Sequence, residues 1–418
     1  MNALLEELKW RGLIYDIVNE EELSKRLEKP ITLYCGFDPT ADSLHIGSLL
    51  PIVTLMRFKK AGHRVIALTG GGTGLIGDPS GKKNERSLNP LDTVKEWSKL
   101  FKKQMSKFLK FDDKTSFSVD NYKWLGEMKA IELWRDYGRH FNINYMLAKE
   151  SVKSRLDTGL TYLEFSYMIL QSIDFLKLYQ DPKYRCEMQI GGQDQWGNIT
   201  AGMELIRKVE GPEAEVYGLT VPLITKSDGT KFGKTESGAV WLDEEKTSPY
   251  EMYQFFINTA DDDVIKLLKY FTFLSKEEIE DLEEKVKTEP HLREAQKVLA
   301  REIVLLVHGE KGLENALKLT DALFSGNIKE LDVSEIKMCF KDVPSIEEVD
   351  PINIIDAVVK VGAAQSKRQA REFITNGAIN INGDIVKDFD YTITKEKAIG
   401  QTFTVIRRGK KNYYLIKH

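Results

Sequence analysis

The stretch Tyr34-Cys35-Gly36-Phe37-Asp38-Pro39-Thr40-Ala41-Asp42-Ser43-Leu44-His45-Ile46-Gly47-Ser48 decides the fold. Ile31–Phe37 reads as a buried strand, Asp38-Pro39-Thr40 ends it in a turn, and a helix follows from about Gly47 to Lys60. The alternation continues downstream. His63–Thr69 is a second strand running into a glycine-rich loop, Asn89, Pro90 and Asp92 open a helix reaching Phe111, and Thr115–Val119 is a third strand. A helix across Leu160–Tyr179, a strand near Cys186–Ile190, a helix after Gln195 and a strand across Val216–Thr225 complete the series. Strands alternating with helices imply an α/β fold with a doubly wound, mainly parallel, Rossmann-like sheet. Ligands of such sheets bind at the carboxyl ends of the strands.

Past residue 246 the pattern changes. Residues 247–324 read as helical, with cap signals at Thr247-Ser248, Asp261 and Ser275. Residues 325–350 are polar with little periodicity and read as a linker. Residues 351–418 read as two helices and short strands, with Asn382-Gly383 as a hairpin turn, forming a small α+β module. A chain of 418 residues exceeds one ordinary core, so several domains are expected: the sheet domain 1–246 with a connective insertion, the helical domain, the linker and the module.

Composition narrows the class. With 42% hydrophobic and 30% charged residues, and no apolar run of membrane-spanning length, the chain reads as a soluble protein without a signal peptide. Cys35, Cys186 and Cys339 are scattered, which argues against a disulfide framework or structural zinc and fits a reducing cytoplasm. The six histidines are as dispersed, so a metal cage built on them is not expected. The net charge of −4 is unevenly spread: from Pro351 onward eight Lys and four Arg face four Asp and two Glu, a net +6 that leaves −10 on the first 350 residues. A basic module on an acidic body suits an anionic partner, with nucleic acid the leading candidate.

Two phosphate fingerprints fail in context. Gly72-Thr73-Gly74-Leu75-Ile76-Gly77 matches the dinucleotide pattern, but turn-forming Asp78-Pro79-Ser80-Gly81 follows where a helix should start. A P-loop reading places Ile76 where its first Gly belongs and Lys83 where its Ser/Thr belongs. The His45 segment is more telling. It enters a helix N-terminus, where free N–H groups favour phosphate; Gly47 admits a nucleotide ring, and Thr40 and His45 can donate to phosphate oxygens. Far downstream, Lys226-Ser-Asp-Gly-Thr-Lys-Phe-Gly-Lys-Thr235 is a loop whose Lys231 and Lys234 suit a clamp on a polyphosphate. Alone, the first is an ordinary helix start and the second a solvated loop. Together they resemble the two signature motifs of class I aminoacyl-tRNA synthetases, HIGH and KMSKS in their usual spelling. Here these read His45-Ile46-Gly47-Ser48 and Lys231-Phe232-Gly233-Lys234-Thr235, with Ser48 in place of the second His.

Tyr167, Gln171 and Asp174 share one face of an otherwise apolar helix, a costly stripe unless something satisfies it. Together with Tyr34-Cys-Gly-Phe-Asp-Pro-Thr, Gly77-Asp-Pro-Ser-Gly, Glu164-Phe-Ser-Tyr-Met and Ile190-Gly-Gly-Gln-Asp-Gln-Trp-Gly-Asn198, it makes nearly the whole chain resemble bacterial-type tyrosyl-tRNA synthetases. The resemblance implies that Tyr34 and Asp174 bracket the hydroxyl of L-tyrosine, and that Asp78, Tyr167 and Gln171 hold its ammonium group. It places Asp38, Gly192, Asp194 and Gln195 along the ATP ribose and the reacting carboxylate, with Gly47 and Ser48 beside the nucleotide. Thr40, His45, Lys231, Lys234 and Thr235 would attend the phosphates, with Lys82 and Arg86 closing over them.

The tyrosine carboxylate is anionic at pH 7 and needs no general base to attack the α-phosphorus, so catalysis would come from groups gripping the phosphates. No permanently bound cofactor is implied, and Mg2+ would arrive with ATP. Val361–Arg371, followed by Gly377-Ala-Ile-Asn-Ile-Asn-Gly383, resembles the S4 RNA-binding domain, with Ser366, Lys367, Arg368 and Arg371 as contacts to the tRNA(Tyr) backbone. Homodimerisation is implied by the resemblance alone. Three rivals remain: a tryptophan enzyme, opposed by the pair Tyr34 and Asp174; a nicotinamide-dependent dehydrogenase, whose fingerprint fails; and an RNA-binding protein with an inactive sheet domain.

Overall fold

The computed structural model describes residues 2–81, 87–157, 159–230, 232–235, 238–340, 343–409 and 412–418, with the side chains of Ser151, Lys234, Thr235 and Phe324 excepted. The chain divides into two compact units, one of Met1–Thr247 with Ile257–Val307, the other of Ser248–Phe256 with His308–His418.

The first unit is built on a six-stranded sheet of β1 (Asp16–Ile17), β2 (Thr32–Phe37), β3 (Arg64–Thr69), β4 (Ser116–Asp120), β5 (Cys186–Gly192) and β6 (Tyr217–Val221). Their spatial order is β1-β6-β5-β2-β3-β4. Strands β2 to β6 run parallel and β1 joins β6 as an antiparallel edge. Covered on both faces, the central strands carry continuous apolar runs: Leu33-Tyr34-Cys35 and Val65 through Leu68 are at most 3% exposed. The chain runs outward through β2, β3 and β4, then returns to set β5 against the other side of β2. That reversal puts the ligand crevice at the carboxyl ends of β2 and β5. The expected Rossmann-like sheet is therefore present, with β1 as an addition.

Local chemistry fixes the helices around the crevice. Helix Ile46–Lys60 starts on His45, whose ring accepts the Gly47 N–H, and buries Leu49, Leu50, Ile52, Val53 and Phe58. Helix Tyr162–Gln180 is capped by the Thr161 side chain, and helix Trp196–Glu210 packs against it closely enough that a Cβ on Gly202 would lie 3.2 Å from the Phe175 ring. The glycine loop after β3 makes one short turn, Thr73–Leu75, and no long helix, which removes the dinucleotide fingerprint.

Two expectations about the later chain need changing. The helices of 247–324 do not form one body: Pro249–Ile257 lies almost wholly in the second unit, Asp261–Phe271 and Lys276–Thr288 lie in the first, and Glu294–Ser325 is broken at Gly309 (φ 73°), next to the boundary. Ser275 does cap its helix, in a reciprocal box with Glu278, whereas Asp261 is the first helical residue after extended Ala260. Nor is 325–350 a linker. It holds helix Val333–Cys339, boxed by Asp332 and Glu335, and strand Ser345–Glu347, which pairs parallel to Asn412–Lys417. Ile328, Leu331, Ile336 and Phe340 pack with Phe403, Val405 and Leu415 in one core. Their periodicity is spread over elements too short to show it.

The rest of the second unit follows the expected plan: helices Ile354–Lys360 and Lys367–Thr375, then Ile379–Ile381 and Asp384–Ile385 joined by the Asn382-Gly383 turn. Both turn residues have positive φ, 49° and 96°, as a type I′ turn requires. Among the described residues no helix is long and apolar enough to cross a membrane. A Cβ on Gly383 would sit 2.2 Å from the Gly326 carbonyl oxygen, on top of its unfavourable φ. Gly383→Ala should therefore destabilise the second unit by about 1–3 kcal/mol, read as an earlier chemical-denaturation midpoint.

Candidate active site

The carboxyl end of β2 leads to His45, and a second segment, Gly233–Leu242, is laid against it. Lys234–Thr235 and Gly238–Ala239 pair as a short antiparallel hairpin. Val240 then donates its N–H to the Gly233 carbonyl at 3.0 Å and accepts the Ile46 N–H at 2.8 Å, while Leu242 donates to the Leu44 carbonyl at 2.9 Å. His45 and Trp241 face each other as a bridge pair, ring centroids 6.4 Å apart. The two lysine-motif and histidine-motif segments, remote in sequence, are thus one antiparallel junction. Gly233 has φ +80° and its Cβ would meet Ile46 Cγ2 at 2.3 Å, so the position admits only glycine. Because His45 Nδ1 accepts the Gly47 N–H at 3.0 Å, its proton belongs on Nε2. A Cβ at Gly47 would lie 2.8 Å from that ring.

The base of the lysine loop rests on helix Asp261–Phe271. Asp263, 6% exposed, accepts the Ser227 N–H and hydroxyl, and Lys266 donates to the Thr225 carbonyl at 2.8 Å. Phe232 stacks on Phe271 at 6.1 Å.

A second group of side chains gathers from β2, the glycine loop, β4 and helix Tyr162–Gln180. Tyr167 donates to Asp38 Oδ2 at 2.6 Å, Thr73 donates to Asp38 Oδ1 at 2.7 Å, and Asn121 Nδ2 donates to Thr73 Oγ1 at 2.9 Å and to Asp174 Oδ2 at 2.8 Å. Trp124 Nε1 donates to Asp174 Oδ1 at 2.7 Å. Beside this chain, Gln195 Nε2 donates to Asp78 Oδ2 at 2.6 Å, and Asn198 Nδ2 donates to Gln171 Oε1 at 3.1 Å and Gln195 Oε1 at 3.2 Å. Tyr34, 1% exposed, has a hydroxyl with no partner among the described residues. Burial pushes its phenol well above the ordinary range, helped by the charge of Asp174. Burial also pushes the Asp174 carboxyl up to about 8, against the pull of Asn121 and Trp124 and with help from Asp38 and Asp120.

The structure thus brings Tyr34, Asp38, Asp78, Tyr167, Gln171, Asp174 and Gln195 to one end of the sheet. Asp194 stands over Gly192 and Gly81, whose Cβ atoms would lie 2.7 and 3.3 Å from its oxygens. Thr40 is exposed in the turn after β2, and Ser48 donates its N–H to the His45 carbonyl. Lys82, Arg86 and Lys231 lie outside the described residues, and Lys234 and Thr235 are placed by backbone alone. Asn121, Trp124, Thr73 and Asn198 were not singled out from the sequence. Asn121 carried one usable signal, a polar residue at the carboxyl end of a predicted parallel strand. Among the described residues no three acidic, His or Cys groups cluster as a metal site. In the second unit, Ser366 caps helix Lys367–Thr375; Ser366, Lys367, Arg368 and Arg371 are all exposed, and Lys367 pairs with Asp356.

Comparison with known proteins fits this geometry. The family of "tRNA synthetases class I (W and Y)" matches residues 25–325, and the "Tyrosine--tRNA ligase SYY-like C-terminal domain" matches 335–416. The chain is a class I aminoacyl-tRNA synthetase. It is 58% identical to tyrosine–tRNA ligase 1 of Bacillus subtilis (strain 168), with all of both chains covered. It is 57% identical to the tyrosine–tRNA ligase of Geobacillus stearothermophilus, over 99% of each. Among solved structures, a C-terminally truncated mitochondrial tyrosyl-tRNA synthetase of Aspergillus nidulans is similar at a TM-score of 0.69 and 32% identity, covering 78% of this chain and 95% of that one. Within its class the chain belongs to the tyrosine–tRNA ligase family.

The raised Asp174 pKa has a signed consequence. A carboxyl whose folded pKa exceeds its unfolded value of 3.8 adds stability that is full below that value and is lost as pH rises through about 8. Asp174→Asn should therefore gain stability relative to the parent as pH rises from about 4 to 8, read from denaturation midpoints along a pH series. A pH-independent difference would contradict the assignment.

Proposed function

We propose that the chain activates L-tyrosine with ATP to tyrosyl-adenylate and pyrophosphate, then passes the tyrosyl group to the 3′-terminal ribose of tRNA(Tyr). The choice of amino acid rests on the buried Tyr34 hydroxyl, unpartnered among the described residues, in a pocket shared with Asp174. A substrate phenol donates to Asp174 and accepts from Tyr34, satisfying both. An indole N–H serves Asp174 but accepts nothing, and a phenyl ring serves neither, so in both cases the buried Tyr34 hydroxyl is left unpaired. Asp78, Tyr167 and Gln171 hold the ammonium group, while Asp38, Gly192, Asp194 and Gln195 line the ribose and the carboxylate.

Once held, the ionised carboxylate attacks the α-phosphorus in line with departing pyrophosphate. The helix start at Gly47 and Ser48, together with Thr40 and His45 Nε2–H, faces the phosphates from one side of the junction. By their places in the sequence, Lys231, Lys234, Thr235, Lys82 and Arg86 are assigned the remaining phosphate contacts. Mg2+ enters as part of the ATP substrate and offsets phosphate charge. In the second unit, Ser366, Lys367, Arg368 and Arg371 hold the tRNA backbone. The protein works in the cytoplasm as a homodimer; exposed Ile131, Trp134 and Ile143, between β4 and helix Tyr162–Gln180, with Tyr162 at the start of that helix, supply apolar surface suited to a second copy.

His45→Ala or Lys234→Ala should lower tyrosine-dependent ATP–pyrophosphate exchange by about 10²-fold or more while equilibrium tyrosine binding stays near parental. An unchanged exchange rate rejects the roles given to these residues. A chain ended at Ser325 should retain exchange and lose tRNA charging; charging at the parental rate would reject the RNA-binding assignment.

A further inference from the structure

We propose that Gln104 is a positioning residue for the activation step, acting through His45; this rests on the site reading above and adds a residue to it. Gln104 projects from helix Leu91–Leu109 and is 7% exposed. Its neighbours on the buried face, Phe101, Met105 and Phe108, are apolar. An amide in that stripe is costly unless its polar atoms are satisfied, and every partner it has lies beside the junction. Its carbonyl oxygen accepts the Leu44 N–H at 2.8 Å. Its amide nitrogen donates to Ser43 Oγ at 3.1 Å and reaches Asp243 Oδ2 at 3.4 Å.

These contacts flank the pair His45–Trp241. Leu44 directly precedes His45, and its carbonyl accepts the Leu242 N–H across the junction. Its own N–H goes to the side-chain amide oxygen of Gln104 and not to the facing segment, so Gln104 supplies the acceptor at this end of the junction. Among the described residues two backbone hydrogen bonds join the motif segments, Ile46 to Val240 and Leu242 to Leu44, so the direction of the His45 ring depends on how firmly Ser43-Leu44 is held. Gln104 therefore touches no substrate; it sets where the Nε2–H of His45 points. The tyrosine pocket lies outside its contacts.

Gln104→Leu, similar in size but without hydrogen bonds, should slow tyrosyl-adenylate formation about 10- to 100-fold in single-turnover kinetics, with tyrosine affinity within about twofold of the parent. In a His45→Ala background the same substitution should cost less than about threefold, because the group it positions is gone. Gln104→Glu alone sets a carboxylate against Asp243 and should be slow. Adding Asp243→Asn reverses the donor and acceptor, keeps the acceptor for Leu44 N–H, and should bring the rate back to within about fivefold of the parent. If His45→Ala itself leaves the rate unchanged, the site reading fails. If His45→Ala slows the enzyme but Gln104→Leu does not, or costs as much with His45 absent, the role of Gln104 fails. Parallel loss of tyrosine affinity would overturn it too. Should Gln104→Leu not fold, the comparison of Gln104→Glu with and without Asp243→Asn decides: equal rates overturn the proposal.

Discussion

The backbone of Val240 and Leu242 carries the junction on which the proposed chemistry depends. Val240 gives its N–H to Gly233 and takes the Ile46 N–H on its carbonyl, and Leu242 adds a second tie through the Leu44 carbonyl, so the lysine motif is bound to the histidine motif. Each such bond contributes only about 1 kcal/mol net. Their value lies in geometry, because transition-state stabilisation by fixed donors requires that they not reorganise when charge develops. The glycine between the two motif lysines has its identity from packing against Ile46 rather than from a need for looseness. The loop is also tied at its other end, through Asp263 and Lys266, to a helix with no residue in either motif.

The side-chain group around Tyr167 and Asp174 is rich in carboxylates. Asp38 and Asp120 add to the cost that burial sets on ionising Asp174, and Tyr167 feels Asp38, Asp78 and Asp174 together. An incoming ammonium group lowers that cost, which gives the zwitterion of an amino acid an electrostatic reason to bind there. The hydrogen-bonded series Tyr167–Asp38–Thr73–Asn121–Asp174 joins residues proposed for the nucleotide to residues proposed for the phenol. Substitution at one end is then felt at the other.

What could be read from the sequence followed the range of the signal. Five parallel strands and the helices between them were legible because each carries an unbroken apolar run or a full helical period. The strip Tyr167, Gln171, Asp174 was legible because three polar side chains recur on one face of an apolar helix. Asn121 and Trp124 were not, since one follows a strand and the other sits in a short helix where no period can show. The short β1 escaped for the same reason. Segment 325–350 looked like a linker because Ile328 and Leu331 share one short turn and Ile336 and Phe340 one seven-residue helix with its C-cap, and only the fold reveals their common core. The break at Gly309 was equally hidden, a single glycine in a helical pattern that otherwise continues.

The path of the chain between its two units has a practical corollary. It leaves the first unit at Ser248, returns at Ile257 and leaves again at His308. The carboxyl-terminal body is therefore not a cassette: a chimera spliced at one site would separate it from helix Pro249–Ile257, which is encoded upstream of residues that fold elsewhere. Recombination that respects this protein's cores needs three crossovers where two independent modules would need one.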